Sequence, residues 1–204
     1  MQFIIFQIIV LIFSAIIHEY MHGWMADRMG DSTAKDMGRL TLNPISHIDP
    51  LGSLLLPFLL IASGSPFVFG WAKPVPFNPH NLRDTKYGAA KVAAAGPAGN
   101  LIVAIFFGFL IRFFGASLAA MNPVLPELLS IVVFINLLLM VFNLVPIPPM
   151  DGSKILSVFL PPQWQEKFFQ LERYGLFLVL IFVMFGFSLI IPIIEFLFRI
   201  IVGG

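Results

Sequence analysis

Long apolar runs alternate along this chain with short polar segments. Residues 2–24 open it, and between positions 3 and 17 only Gln7 and Ser14 are polar. Runs of the same kind occupy 87–114, 127–145 and 174–201, with Pro192 a kink in the last. Each approaches or exceeds the roughly twenty residues that carry a helix across hydrocarbon. The pattern therefore predicts four full spans. Residues 51–70 are apolar too, but Pro57, Gly64 and Pro66 interrupt them, which predicts a broken or re-entrant segment. The polar stretches predict smaller elements. Met37 to Leu42 alternates with the period of a short strand. Pro74, Pro76 and Pro79 favour extended backbone in 70–81. In 162–173, Trp164, Phe168 and Leu171 share one helical face while Gln165, Glu166 and Glu172 lie elsewhere, as in a helix lying in the membrane interface. The fold class is an all-α integral membrane protein: four spans and one broken segment in a helical bundle, with a small β element. Residues 1–204 read as a single domain.

Composition sharpens this picture. The chain is 58% hydrophobic and 11% charged, with a mean hydropathy of +0.92, which excludes an ordinary soluble domain. A net charge of +1 argues against a nucleic-acid partner. With no cysteine there is neither a disulfide framework nor a thiolate metal site. The first run lacks a basic start and a small-residue cleavage site, so it reads as a retained helix rather than a signal peptide. If 51–70 leaves on the side it enters, Arg28, Lys35, Arg39, Lys73, Arg83, Lys86, Lys91, Lys154, Lys167 and Arg173 share one face, with only Arg112 and Arg199 opposite. A full crossing would erase that bias. The positive-inside tendency puts the basic face in the cytoplasm, together with the β element, and both termini outside.

The chemistry enters at His18-Glu19-Tyr20-Met21-His22, at the end of the first apolar run. Histidines four apart project from one helical face and can grip one zinc ion, while the adjoining Glu19 can take a proton from the attacking water. Two histidines are not a complete catalytic zinc site, which has three protein ligands. Asp151 is the best third ligand. It follows the third span among Pro146, Pro148 and Pro149, where freed backbone near membrane depth must be surrounded by protein or by a watery cavity such as hydrolysis needs. The plainer role for Asp151 is a helix N-cap. Glu127 and Glu195 are weaker alternatives at the far ends of helices. Asn143 could donate to an oxyanion, or bond the backbone that Pro146 frees. Asn100, after Gly96, Pro97 and Gly99, could contact substrate or serve helix packing. His47 and His80 read as interfacial or structural.

Three elements together resemble the site-2 proteases, intramembrane zinc metalloproteases: His18 to His22, Gly96-Pro97-Ala98-Gly99-Asn100, and Asn143-x-x-Pro146-x-Pro148-x-Met150-Asp151-Gly152. Met150 stands where the family pattern has Leu. Gly38 to Pro44 and His47 to Gly52 look like the short prokaryotic members, without room for PDZ or CBS domains. The resemblance implies a prokaryotic cell-membrane location and one zinc held by His18, His22 and Asp151. Glu19 would activate water, and Asn143 would hold substrate or the oxyanion. The implied partners are the lipid bilayer and a membrane-protein substrate with a transmembrane helix. Such a substrate must unwind before attack, and Trp71 to Pro76 or the strand near Leu40 could offer it an edge. The rival readings are a zinc-binding transporter and a non-proteolytic scaffold for membrane proteins.

Overall fold

Helices carry each of the four long apolar runs in the computed structural model, which describes residues 2–55, 58–59, 62–63 and 72–203. The first is α1 (Gln2–Arg28), followed by the short α2 (Thr33–Asp36). Then come α3 (Gly88–Met121) and α4 (Leu125–Leu144). The fourth run is interrupted. Before it come α5 (Asp151–Ser157), α6 (Pro162–Gln170) and a tight turn at Leu171–Tyr174; the run itself carries α7 (Gly175–Ile181), a π-helical stretch Phe182–Gly186, and α8 (Phe187–Val202). By length and hydropathy Phe3–Arg28, Gly88–Met121, Leu125–Leu144 and Pro162–Val202 can each cross a membrane. Ile4, Ile5, Ile8, Phe106, Phe113, Phe185 and Phe196 stand exposed on them, the outer surface that lipid would cover.

α3 is the central helix and packs against α1, α4, α5 and α8. Its buried face is made of small residues, among them Ala93, Gly96, Gly99, Ala104 and Gly108, which let backbones approach closely. A Cβ at Gly99 would sit 2.5 Å from Met21 Cγ. α1 and α3 run antiparallel, with Ser14 beside Asn100 and His22 beside Val92. A main apolar core from α3, α4, α7 and α8 includes Ala104, Val133, Leu137, Phe182 and Ile194, and a smaller one joins Ala26, Leu82 and Val92. Arg112 donates to the Ile200 carbonyl at 2.7 Å, satisfying a group that the end of α8 leaves free.

The structure moves several boundaries. α1 runs past 24 to Arg28, because nothing breaks it until Gly30 at φ 108°. α3 runs past 114 to Met121, stopped by Asn122-Pro123. Over 162–173, where an interfacial helix is expected, the chain forms α6 and the turn that follows, and none of α6 is buried. The small β element is not found: no strand occurs among the described residues. At 37–42, Gly38 turns left-handed at φ 65°, and the Gly38 and Arg39 amides donate back to Lys35 and Ala34 at 2.9 and 2.7 Å. Those donors are spent locally, so the alternating pattern has no ladder to join. The expected broken segment at 51–70 falls largely outside the described residues. Its first part, Pro50–Leu55, is π-helical.

Candidate metal centre

α1 presents His18 and His22 on one face, their rings edge to face with centroids 4.6 Å apart. α5 brings the third group. The chain leaves α4 at Leu144, turns through Pro146, Pro148 and Pro149, and starts α5 at Asp151. Gly152 permits this, because a Cβ there would collide with the Leu144 carbonyl. Met150, not Asp151, occupies the cap position of α5. The Asp151 carboxylate turns instead to the histidines. Its Oδ2 lies 3.0 Å from His18 Nε2 and 3.2 Å from His22 Nε2. His18, His22 and Asp151 form the one cluster of possible metal ligands among the described residues.

The protons on the two rings follow from what lies behind them. His22 Nδ1 is 2.7 Å from the Val92 carbonyl, which can only accept, so Nδ1 carries the hydrogen. His18 Nδ1 is 2.7 Å from Asn100 Oδ1. The Asn100 amide is oriented by its nitrogen, which donates to the Ser14 carbonyl at 3.1 Å and to Asn136 Oδ1 at 3.0 Å. His18 Nδ1 therefore also carries its hydrogen. As neutral imidazoles both rings point a lone pair from Nε2 at a carboxylate oxygen. Three acceptors facing one another repel, so something positive belongs among them, a proton or a metal ion. Tetrahedral zinc with bonds of ~2.0–2.1 Å spaces its ligand atoms roughly 3.3 Å apart, close to the 3.0 and 3.2 Å found here. Nitrogen and oxygen donors of this set suit zinc.

Gly96 completes the wall. A Cβ on it would come within 2.5 Å of His22 Nε2 and 2.7 Å of His18 Nε2. Glycine is thus the residue that lets α3 pass directly against the two rings. Glu19, beside them, accepts from the Val75 amide at 2.8 Å. Val75 lies in the extended segment that follows Lys73, between two prolines that have no N–H of their own. Val75 also rests against Gly23, where a Cβ would meet its Cγ1 at 2.8 Å.

The other sequence candidates fare differently. Asn100 is fully buried behind His18, with its oxygen and both amide hydrogens engaged by protein. That places it to orient the His18 ring. Asn143 donates to the Leu139 carbonyl of its own helix at 2.9 Å and takes no part in the network around the histidines. His47 pairs with the Thr41 carbonyl at 2.8 Å. His80 and the alternative acids Glu127 and Glu195 stand outside the cluster. Sequence reasoning missed Asn136, Ser14 as its partner, and the contact of Gly96 with the rings. A lone asparagine in the middle of an apolar run was a readable signal for the first; the others depend on which helices meet.

Comparison with known proteins fits this geometry. The chain is 40% identical over 197 residues, 93% of its length, to a Bacillus subtilis protein named "Putative zinc metalloprotease YwhC", covering 86% of that protein. Residues 116–187 match the family model described as Peptidase family M50. The chain belongs to peptidase family M50. It is thereby a metalloprotease of the site-2 protease family, and zinc is its metal. Proteins named "Putative zinc metalloprotease Rip2" from Mycolicibacterium smegmatis and Mycobacterium tuberculosis are 33% and 32% identical over 168 residues. The alignments take in 82% of this M50 chain and 62% of each of those two proteins. No solved structure matches it significantly.

Proposed function

We propose that this M50 metalloprotease is an intramembrane endopeptidase that hydrolyses peptide bonds in or near transmembrane segments of membrane proteins. The observation that carries the reading is the convergence of His18 Nε2, His22 Nε2 and Asp151 Oδ2, each with a lone pair inward, where the short α5 meets α1 and α3, two helices apolar enough to span a bilayer. One such cluster among the described residues also favours a fixed catalytic site over a transport path, which would string several such groups along the bundle.

In this reading His18, His22 and Asp151 hold zinc, which when bound polarises the scissile carbonyl and acidifies water. Asn100 and the Val92 carbonyl fix the histidine tautomers. Glu19 accepts the proton of the attacking water and returns it to the leaving amine. The Val75 amide holds one Glu19 oxygen, which leaves the other carboxylate oxygen to the water. The substrate is a membrane helix, because the site is walled by α1 and α3 within their apolar lengths. The site also lies towards the basic end of the bundle: Arg28 closes α1, Lys91 precedes Val92, and Lys154 shares α5 with Asp151. The positive-inside tendency sets that end in the cytoplasm.

The test uses protein reconstituted with candidate single-span substrates. Cleavage products should form with the wild type and disappear with Glu19→Gln, while zinc content stays at the wild-type level. Undiminished cleavage by Glu19→Gln would remove Glu19 from the mechanism. Zinc uptake into vesicles that survives Glu19→Gln, with no cleavage by either protein, would turn the reading to a transporter.

A further inference from the structure

Behind His18 the polar network continues one residue beyond Asn100, into the middle of α4. Asn136 has no exposed surface. Its Nδ2 donates to the Val132 carbonyl at 2.9 Å and to Ser14 Oγ at 2.9 Å. Its Oδ1 accepts from Asn100 Nδ2 at 3.0 Å. A backbone carbonyl can only accept, so the Val132 oxygen fixes which end of the Asn136 amide is nitrogen. Oδ1 must then face Asn100, and the Asn100 nitrogen must face Asn136. The Asn100 oxygen is left facing His18 Nδ1, and the His18 lone pair is left on Nε2, towards Asp151. Reversing the Asn100 amide would set its oxygen against two acceptors, Asn136 Oδ1 and the Ser14 carbonyl.

We propose that Asn136 is a positioning residue for the metal centre, setting through Asn100 the tautomer and ring orientation of His18. This rests on the reading that His18, His22 and Asp151 hold zinc. It assigns a part in the metal site to a residue of α4, a helix that supplies none of those three groups. The competing role for Asn136 is simple helix-to-helix adhesion, since interhelical amide bonds tie apolar helices together without any ligand. Adhesion predicts loss of stability alone. Positioning predicts loss of zinc affinity, and only by way of Asn100.

The experiment measures zinc affinity of the detergent-purified full chain by competition with a chelator, beside the melting temperature of the zinc-free protein. Outer residues that orient metal-binding histidines change metal affinity by about 10–100-fold. The Ser14 carbonyl still holds Asn100 when Asn136 is lost, so Asn136→Leu should weaken zinc by about 10-fold, the lower end of that range. Asn136→Asp keeps the acceptor for Asn100 and should bind zinc as the wild type does. The double variant Asn100→Leu/Asn136→Leu should bind no more weakly than Asn100→Leu alone. If Asn136→Leu does not fold, Asn136→Ser, whose hydroxyl is too short to reach Asn100, carries the same expectation. Wild-type affinity in the Leu or Ser variant, or losses that multiply in the double variant, would overturn the proposal. Asp151→Ala separates the two levels. Zinc lost there but unchanged in the Asn136 variants sinks the positioning role and leaves the ligand set standing. Zinc kept there, or absent from the wild type, overturns the ligand set and the positioning role together.

Discussion

Two buried carboxylates in this protein have opposite surroundings. Asp31 follows the Gly30 turn at the end of α1, and every neighbour it has in the network is a donor. Its Oδ1 accepts from the Thr33 amide at 3.3 Å, the Thr33 hydroxyl and Asn81 Nδ2 at 2.9 Å, and its Oδ2 accepts from the Asn78 amide at 2.6 Å. Asp151 faces two imidazole nitrogens whose hydrogens are committed on the far side of each ring. Both acids are inaccessible, and burial alone does not tell them apart. The donor count does: a buried carboxylate surrounded by N–H and O–H groups can serve as a joint, and one that faces lone pairs is placed to take a proton or a metal ion. Asp31 ties the α1 end to the 78–81 turn. Asp151 is left with a charge that only a cation can answer.

The largest expected effects fall on zinc. Asp151→Asn keeps the shape of the side chain but loses its negative charge, and zinc content measured by atomic absorption should fall to background. Asp31→Asn should retain wild-type zinc. Equal zinc loss in both variants would break the distinction. Gly96→Ala comes next, because its new Cβ would stand within 2.5 Å of His22 Nε2 and 2.7 Å of His18 Nε2. Neither ring can retreat without leaving the Val92 carbonyl or Asn100. Zinc binding should be lost, whereas Gly38→Ala, whose Cβ would meet nothing within 4 Å, should leave zinc untouched.

This difference between neighbourhoods also marks what the sequence can tell. His18 and His22 were legible because helical spacing alone puts them together. The meeting of Asp151 with them was legible because prolines beside it signal broken helix next to an apolar run. The four long apolar helices were legible from length, though their ends were not, since Arg28 and Met121 depend on where Gly30 and Pro123 halt a helix. The strand expected near Leu40 failed because six alternating residues carry too little information to outweigh one left-handed glycine. Asn143 looked equally able to serve an oxyanion or the backbone that Pro146 frees, and its Nδ2 donates instead to the Leu139 carbonyl, one turn back in α4. The orientation of Asn100, the part of Asn136 and the donors around Asp31 are all contacts between residues far apart in the chain. No spacing rule reaches across them.

The stability side of the comparison is smaller. Asp31→Asn replaces one acceptor oxygen with an amide donor that must face the donors of Thr33, Asn78 or Asn81. Leaving such a group unsatisfied costs about 1–3 kcal/mol. The melting temperature of the zinc-free protein should fall accordingly, while Asp151→Asn should shift it less. A larger drop for Asp151→Asn than for Asp31→Asn would mean that the metal site, not the joint, holds the empty fold together.

The smallest effect is a dependence on pH. Burial by itself pushes the Asp31 carboxyl up, but the hydrogen bonds from Thr33, Asn78 and Asn81 outweigh it and hold the group below its ordinary value. In the unfolded chain an aspartate titrates near ~3.9. A group whose folded value is lower contributes stability that is fully present above the unfolded value and is lost as pH falls through the folded one. The melting-temperature gap between wild type and Asp31→Asn should therefore stay constant from neutral pH down to about 4 and close below it. Both proteins carry the same histidines and Asp151, so their titration cancels in the difference. A gap that persists undiminished well below that range would mean that the Asp31 charge contributes nothing to the joint, and that shape alone holds Asn78 and Asn81 to the end of α1.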